Sequence, residues 1–115
     1  MSKVSDIVRG YYAAYEAKDR AAIEALVDDE FSFTSPLDDR IDRARYFEKC
    51  WPNSEQHRKF DVEKLFESGD EAFVRYKLTL NSGVWFRNTE FLRLEGGRIR
   101  EVEVYFGGAK GTVSD

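Results

Sequence analysis

The chain has 115 residues, 42% of them hydrophobic and 35% charged, with a formal net charge of −4. That length and balance predict one globular domain over residues 1–115 with a single core. They exclude a nucleic-acid partner, because no stripe of Lys and Arg stands out, and a membrane partner, because no apolar run approaches membrane length.

Residues 3–17 place Val4, Ile7, Val8, Tyr11, Tyr12 and Tyr15 at spacings of three and four, which predicts an amphipathic helix. Lys18-Asp19 breaks it, and Asp19 caps a second helix through Ala22, Ile23, Leu26 and Val27, ended by Asp28-Asp29. The alternation from Glu30 to Ser35 reads as a strand with Phe31, Phe33 and Ser35 on one face, stopped by Pro36. Leu37 to Arg40 reads as a loop. A third helix runs from a cap at Asp42 through Tyr46 and Phe47 to Cys50 or Trp51, closed by Pro52-Asn53-Ser54. Strands follow at 58–67, 72–80, 85–95 and 99–106, with turns at Ser68-Gly69-Asp70, Asn81-Ser82-Gly83 and Gly96-Gly97. Gly107 to Asp115 is expected to be a frayed tail. Helices first and strands last make the fold class α+β: a cone-shaped roll of three N-terminal helices packed in a strongly curved, mostly antiparallel sheet, hollow at its centre. The aromatic content of 15% fits such a sheet-rich interior.

One position breaks the pattern. On the strand at 85–95, alternation puts Phe86, Asn88, Glu90, Leu92 and Leu94 on one side, and the three hydrophobes turn that side to the core. A buried acid is paired, protonated or functional. Glu90 is therefore the leading candidate for an acid of raised pKa at a cavity floor. The plainer alternative is a carboxyl satisfied by Tyr11 or Asn88. Tyr11 and Tyr15 share a helix face and would aim their hydroxyls inward, or merely pack. Phe33, Ser35, Tyr76, Phe86, Asn88 and, on the last strand, Val104 are candidate ligand-binding positions. Asp38, which with Asp39 follows Pro36 at the mouth, either dips into the cavity or forms a solvated turn. Trp51 is a candidate pocket or lid residue, with plain core as the alternative.

His57, in the polar run S-E-Q-H-R-K, reads as a loop residue, and Cys50 as a buried inert thiol. One cysteine and one histidine leave no intrachain disulfide and too few soft ligands for a structural zinc. No cofactor or metal site is expected. With no signal-peptide pattern, the expected location is cytoplasmic.

Three stretches carry a resemblance: V-R-G-Y-Y-A-A-Y-E-A-K-D in the first helix, A-L-V-D-D-E-F-S-F-T-S-P into the first strand, and T-E-F-L-R-L-E-G-G-R-I-R-E-V-E-V-Y-F-G at the close. In this order they resemble the nuclear-transport-factor-2-like superfamily, and within it the SnoaL-like and ketosteroid-isomerase-like small proteins, over nearly the whole chain. The resemblance implies the cone and a small hydrophobic ligand or substrate. It does not choose among isomerases, cyclases, dehydratases, an epoxide hydrolase and binding proteins. Ketosteroid isomerase pairs a helix-one tyrosine with a protonated acid as an oxyanion hole, beside an aspartate base. By resemblance the tyrosine falls on Tyr11 and the acid on Glu90, while the base position, directly before a proline, is Ser35. A neutral serine is no base at pH 7 without an activator, so that role passes to Asp38, Asp39 or water, or to nothing. Three readings stand: a proton-transferring enzyme on a hydrophobic oxygenated substrate using Glu90 and Tyr11, a non-catalytic module binding a small ligand, and an interaction protein using the open sheet face. The outward residues Arg87, Thr89, Arg93, Glu101, Glu103 and Tyr105 alternate in sign, and the resemblance implies a homodimer through that face.

Overall fold

Two aspartates start two of the three helices. Asp19 Oδ1 accepts from the Ala22 amide at 3.1 Å, and Asp42 Oδ1 accepts from the Arg45 amide at 2.9 Å. Each satisfies a donor that the first helical turn leaves without a partner. In the computed structural model, which describes residues 3–112, helix α1 is Lys3–Ala17, α2 is Arg20–Leu26 and α3 is Arg43–Lys49, followed by a 3-10 turn at Trp51–Gln56. The strands are β1 Val27–Ser35, β2 Asp38–Asp42, β3 His57–Ser68, β4 Glu71–Leu80, β5 Val84–Glu95 and β6 Arg98–Thr112.

They form a six-stranded sheet in the order β2-β1-β6-β5-β4-β3. Only β1 and β6 run parallel; the other neighbours are antiparallel. Register slips interrupt β1, β3, β5 and β6, and each inserted residue bends its strand, so the sheet curls around the helices without closing. Helix α1 lies against β3, β4 and α2, while α3 lies against β1 and β2. The expected α+β cone is therefore the observed architecture.

Three local expectations are corrected. Val27 already belongs to β1, where it pairs with Ile99, instead of ending α2. The stretch expected as a loop after Pro36 is a tight hairpin into β2, with Ser35 opposite Asp38 and Phe33 opposite Ile41. Its charged sequence D-D-R-I-D hides a strand because an edge strand needs little apolar content and is protected by charge. The expected frayed tail is also strand: β6 continues to Thr112, pairing Lys110 with Phe86 and Thr112 with Val84, and residues 113–115 lie outside the described residues. Gly107 permits that extension, because a Cβ there would stand 2.0 Å from the Arg87 carbonyl oxygen. At the other end of this hairpin Gly96 and Gly97 both have positive φ, as a two-residue turn between twisted strands requires.

The core fills the narrow end of the cone. Leu92, Ile99, Val102, Val27 and Phe31 from the sheet meet Val8 and Ile23 from the helices, all essentially inaccessible. The wide end, bounded by the β1–β2 hairpin, α3 and the last residues of β4, stays hollow.

Candidate functional site

The hollow is a cavity of about 430 Å³ between α1, α3 and the inner face of the sheet. Its walls are mostly apolar, with Phe33, Phe60, Leu78, Leu80, Phe86 and Val104 contributing from five strands. Its polar groups fall into two clusters around tyrosines and a third at the mouth.

The first cluster surrounds Glu90, which is only 6% exposed. Tyr12 donates to Oε1 at 2.7 Å and Tyr76 donates to Oε2 at 2.5 Å. Asn88 Nδ2 donates to the Tyr76 oxygen at 3.2 Å, and Asn88 Oδ1 in turn accepts from the Gly107 amide at 3.3 Å. The β6 backbone thus sets the Asn88 amide, which sets the Tyr76 hydroxyl, which holds the acid. Burial pushes the Glu90 carboxyl above the ordinary carboxylate range, and the hydrogen bonds from Tyr76 and Tyr12 pull partly against it. Burial and then the Glu90 charge hold both of those phenols well above their ordinary value.

The second cluster corrects an expectation. Tyr11 is not the partner of Glu90; its hydroxyl lies 2.6 Å from that of Tyr46, which is also bonded to Tyr15. A helix turns about 100° per residue, so neighbours on α1 face different elements. Tyr12 sits over the sheet, its ring 5.1 Å from Tyr76 and 5.6 Å from Phe60, while Tyr11 faces α3. Three hydroxyls share two contacts here, so one O–H in this trio has no acceptor within it. All three line the cavity, and burial raises all three phenol pKa values.

At the mouth, Ser35 Oγ donates to Asp38 Oδ2 at 3.1 Å, and Lys49 pairs with Asp38 Oδ1. The Asp38 side chain is only 7% exposed and lines the cavity, so it is not the solvated turn weighed as its alternative. The hairpin places it there: Ser35 and Asp38 face each other across Pro36-Leu37, and Ser35 Oγ also accepts the Leu37 amide at 3.1 Å.

Of the residues singled out in the sequence, Glu90, Tyr11, Tyr15, Phe33, Ser35, Asp38, Tyr76, Phe86, Asn88 and Val104 all border this cavity. Trp51 does not. The change from α to 3-10 winding there turns it to a shallow depression with Lys18 and Pro52, its ring 4.9 Å from the Tyr15 ring. Sequence reasoning missed Tyr12, Tyr46 and His57. Tyr12 is in the helix-one pattern and Tyr46 in the apolar pair of α3, so both are visible as core-facing. His57 gives no signal. It opens β3 instead of sitting in a loop, packs beside Tyr15 and Phe60, and borders the cavity. Burial, with Lys18 nearby, lowers its pKa to about 4, so the ring is neutral at pH 7. Burial, with Asp38 nearby, lifts the Cys50 thiol to about 11, which keeps it from acting as a thiolate. Among the described residues no group of three His, Cys, Asp or Glu is arranged to hold a metal ion.

Mostly apolar walls, a buried carboxyl and inward phenols thus share one cavity. No curated protein matches the sequence. Among solved structures, an NTF2-like protein of unknown function from Cytophaga hutchinsonii is 25% identical, with 90% of this chain and 88% of that one covered at a TM-score of 0.75. A candidate ketosteroid isomerase from Kribbella flavida is 20% identical over 93% of this chain and 79% of that one, with a TM-score of 0.78. A candidate polyketide cyclase from Sinorhizobium meliloti is also 20% identical, covering 90% and 99% respectively, with a TM-score of 0.73. At 20% identity these last two likenesses speak for the fold alone. The family description "SnoaL-like domain" matches residues 8–102, most of the chain, so the protein belongs to the SnoaL-like domain family.

Proposed function

We propose that the cavity binds a small hydrophobic molecule by one carbonyl or hydroxyl oxygen and moves a proton on it, as an isomerase, cyclase or dehydratase does. The observation that carries this reading is Glu90, buried among phenols at the inner end of a mostly apolar cavity. Burial raises its pKa, so Glu90 takes up a proton more readily than an exposed carboxyl does and can pass it on when charge develops beside it. The unspent hydroxyl of the Tyr11–Tyr46–Tyr15 trio supplies a second donor for the same oxygen. Asp38 stands at the mouth, away from the floor that would hold the oxygen, so the proton beside the carbonyl passes to water.

The test is solvent exchange. With nonan-2-one in deuterium oxide, the protein should speed deuteration of the carbons beside the carbonyl, followed by NMR. Glu90→Gln should slow it by about 100-fold or more. One observation favours a second reading: both Asp38 oxygens are already engaged, by Ser35 and Lys49. Tight binding with no exchange above background makes the protein a small-ligand carrier instead.

For partners, we infer a second copy of this chain on the outer sheet face. Exposed Phe66 and Phe73 lie opposite each other on β3 and β4, Phe73 touches Phe91, and the cations Arg75 and Arg87 share that face with Glu101 and Glu103. Sedimentation at micromolar concentration should show a dimer that Phe73→Glu dissociates. A cytoplasmic location fits the lone thiol of Cys50, and among the described residues no helix is long and apolar enough to cross a membrane.

A further inference from the structure

On β5 polar and apolar groups follow one another along the cavity wall. On β5 the order from the narrow end outward is Leu94, Leu92, Glu90, Asn88 and Phe86, alternate residues on one face. Their partners on β4 run in parallel, with Val74 opposite Glu90, Tyr76 opposite Asn88 and Leu78 opposite Phe86. Glu90 and its phenols therefore form the floor, and the rest of the lining is mostly aromatic and aliphatic, with Ser35 and Asp38 at the mouth. At the mouth two large apolar side chains border the same cavity while standing mostly in solvent. Leu37, at the tip of the β1–β2 hairpin, is 76% exposed, and Phe106, on β6 opposite Asn88, is 53% exposed. A scattered exposed hydrophobe is ordinary. Two of them on the rim of one apolar cavity, contributed by separate elements, extend the apolar wall beyond the enclosed volume.

We propose that the ligand is elongated, with its oxygen at the Glu90 floor and an unbranched apolar tail that leaves the cavity between Leu37 and Phe106 and covers both. This rests on the reading of the floor as an oxygen-binding site and names the shape of what binds there. A compact fused-ring molecule would sit wholly inside and leave the rim bare. A linear molecule longer than the cavity removes rim surface from water as well. Each methylene it buries tightens binding by the usual hydrophobic increment.

The experiment is calorimetric titration of the full chain with methyl ketones from hexan-2-one to dodecan-2-one, in the wild type and in Leu37→Ser, Phe106→Ser and Glu90→Gln. Both rim residues are exposed, so their variants should keep the wild-type circular dichroism. Affinity should rise about fourfold per methylene until the tail has passed the rim. The rim variants should weaken dodecan-2-one by about fivefold or more and leave hexan-2-one unchanged, whereas Glu90→Gln should weaken every ketone by one common factor. If the rim variants bind the whole series as the wild type does, or if affinity stops rising at the length the cavity encloses, the tail is overturned and the floor stands. If Glu90→Gln changes nothing while the length dependence persists, the floor reading fails and the tail stands. If no ketone binds at any length, both fall.

Discussion

Two glutamates on the same sheet have opposite fates. Glu90, on the helix-facing side, is buried and held by phenols, and burial raises its pKa. Glu63, on the outer side, receives Arg87 at 2.8 and 3.1 Å and Arg75 at 3.1 Å, and the bond from Arg87 leads the causes that lower its pKa. The chemistry of the side chain is identical; the difference is whether the partner carries compensating charge and how far the carboxyl is buried. The outer face solves its electrostatics with ordinary solvated ion pairs. The inner face keeps an uncompensated acid, and positions of that kind are where function concentrates.

Adjacent residues of β5 offer the sharpest way to break this contrast. Leu92→Ala, on the inner side, should cost about 2–5 kcal/mol in urea unfolding. Arg93→Ala, on the outer side, should cost about 1 kcal/mol or less. Equal losses would mean that the two faces are not energetically distinct.

The next effect is a pH slope. Because the folded pKa of Glu90 is raised, its contribution to stability is fully present below the ordinary carboxylate range and is lost as pH rises through the folded value. Glu90→Gln is nearly isosteric and cannot ionise, so it should raise Tm at pH 8 by about 4 °C and leave it unchanged at pH 4. Differential scanning calorimetry at both pH values reads this directly, and a Tm that falls at pH 8 would make Glu90 a structural ion.

The smallest effect has the opposite sign. Glu63 has a lowered pKa, so its contribution is present above the ordinary carboxylate range and is lost as pH falls through the folded value. Glu63→Gln should cost less than about 1 kcal/mol at pH 7, and the cost should shrink further in 1 M salt. A salt-independent loss would mean that Glu63 is shielded from solvent as Glu90 is.

Much of this contrast is legible in the order of residues alone. Alternation turns Glu90, Asn88, Tyr76 and Phe86 to one side and Arg87 and Arg93 to the other, because successive residues of a strand face opposite ways. The helix caps at Asp19 and Asp42 are readable for a similar reason: a cap is a contact between near neighbours in sequence. The edge strand β2 is not readable, since its charged sequence carries no apolar rhythm. Nor is the exchange of Tyr11 for Tyr12 on Glu90, because both lie on the buried side of α1 and the choice depends on how the helix sits on the sheet.

Local order, in short-range terms, belongs to the sequence: most of the helices and strands, which face of each is apolar, and that one acid lies among hydrophobes. Long-range pairing belongs to the tertiary structure alone. It brings residue 12 to residue 90, sets Asp38 against Lys49 across the mouth, turns Trp51 away, and gives His57 a partly buried site where its ring is neutral. The reason is geometric. A repeat of two or 3.6 residues is written in neighbouring side chains, whereas the meeting of two distant hydroxyls depends on sheet curvature and helix rotation summed over the whole chain.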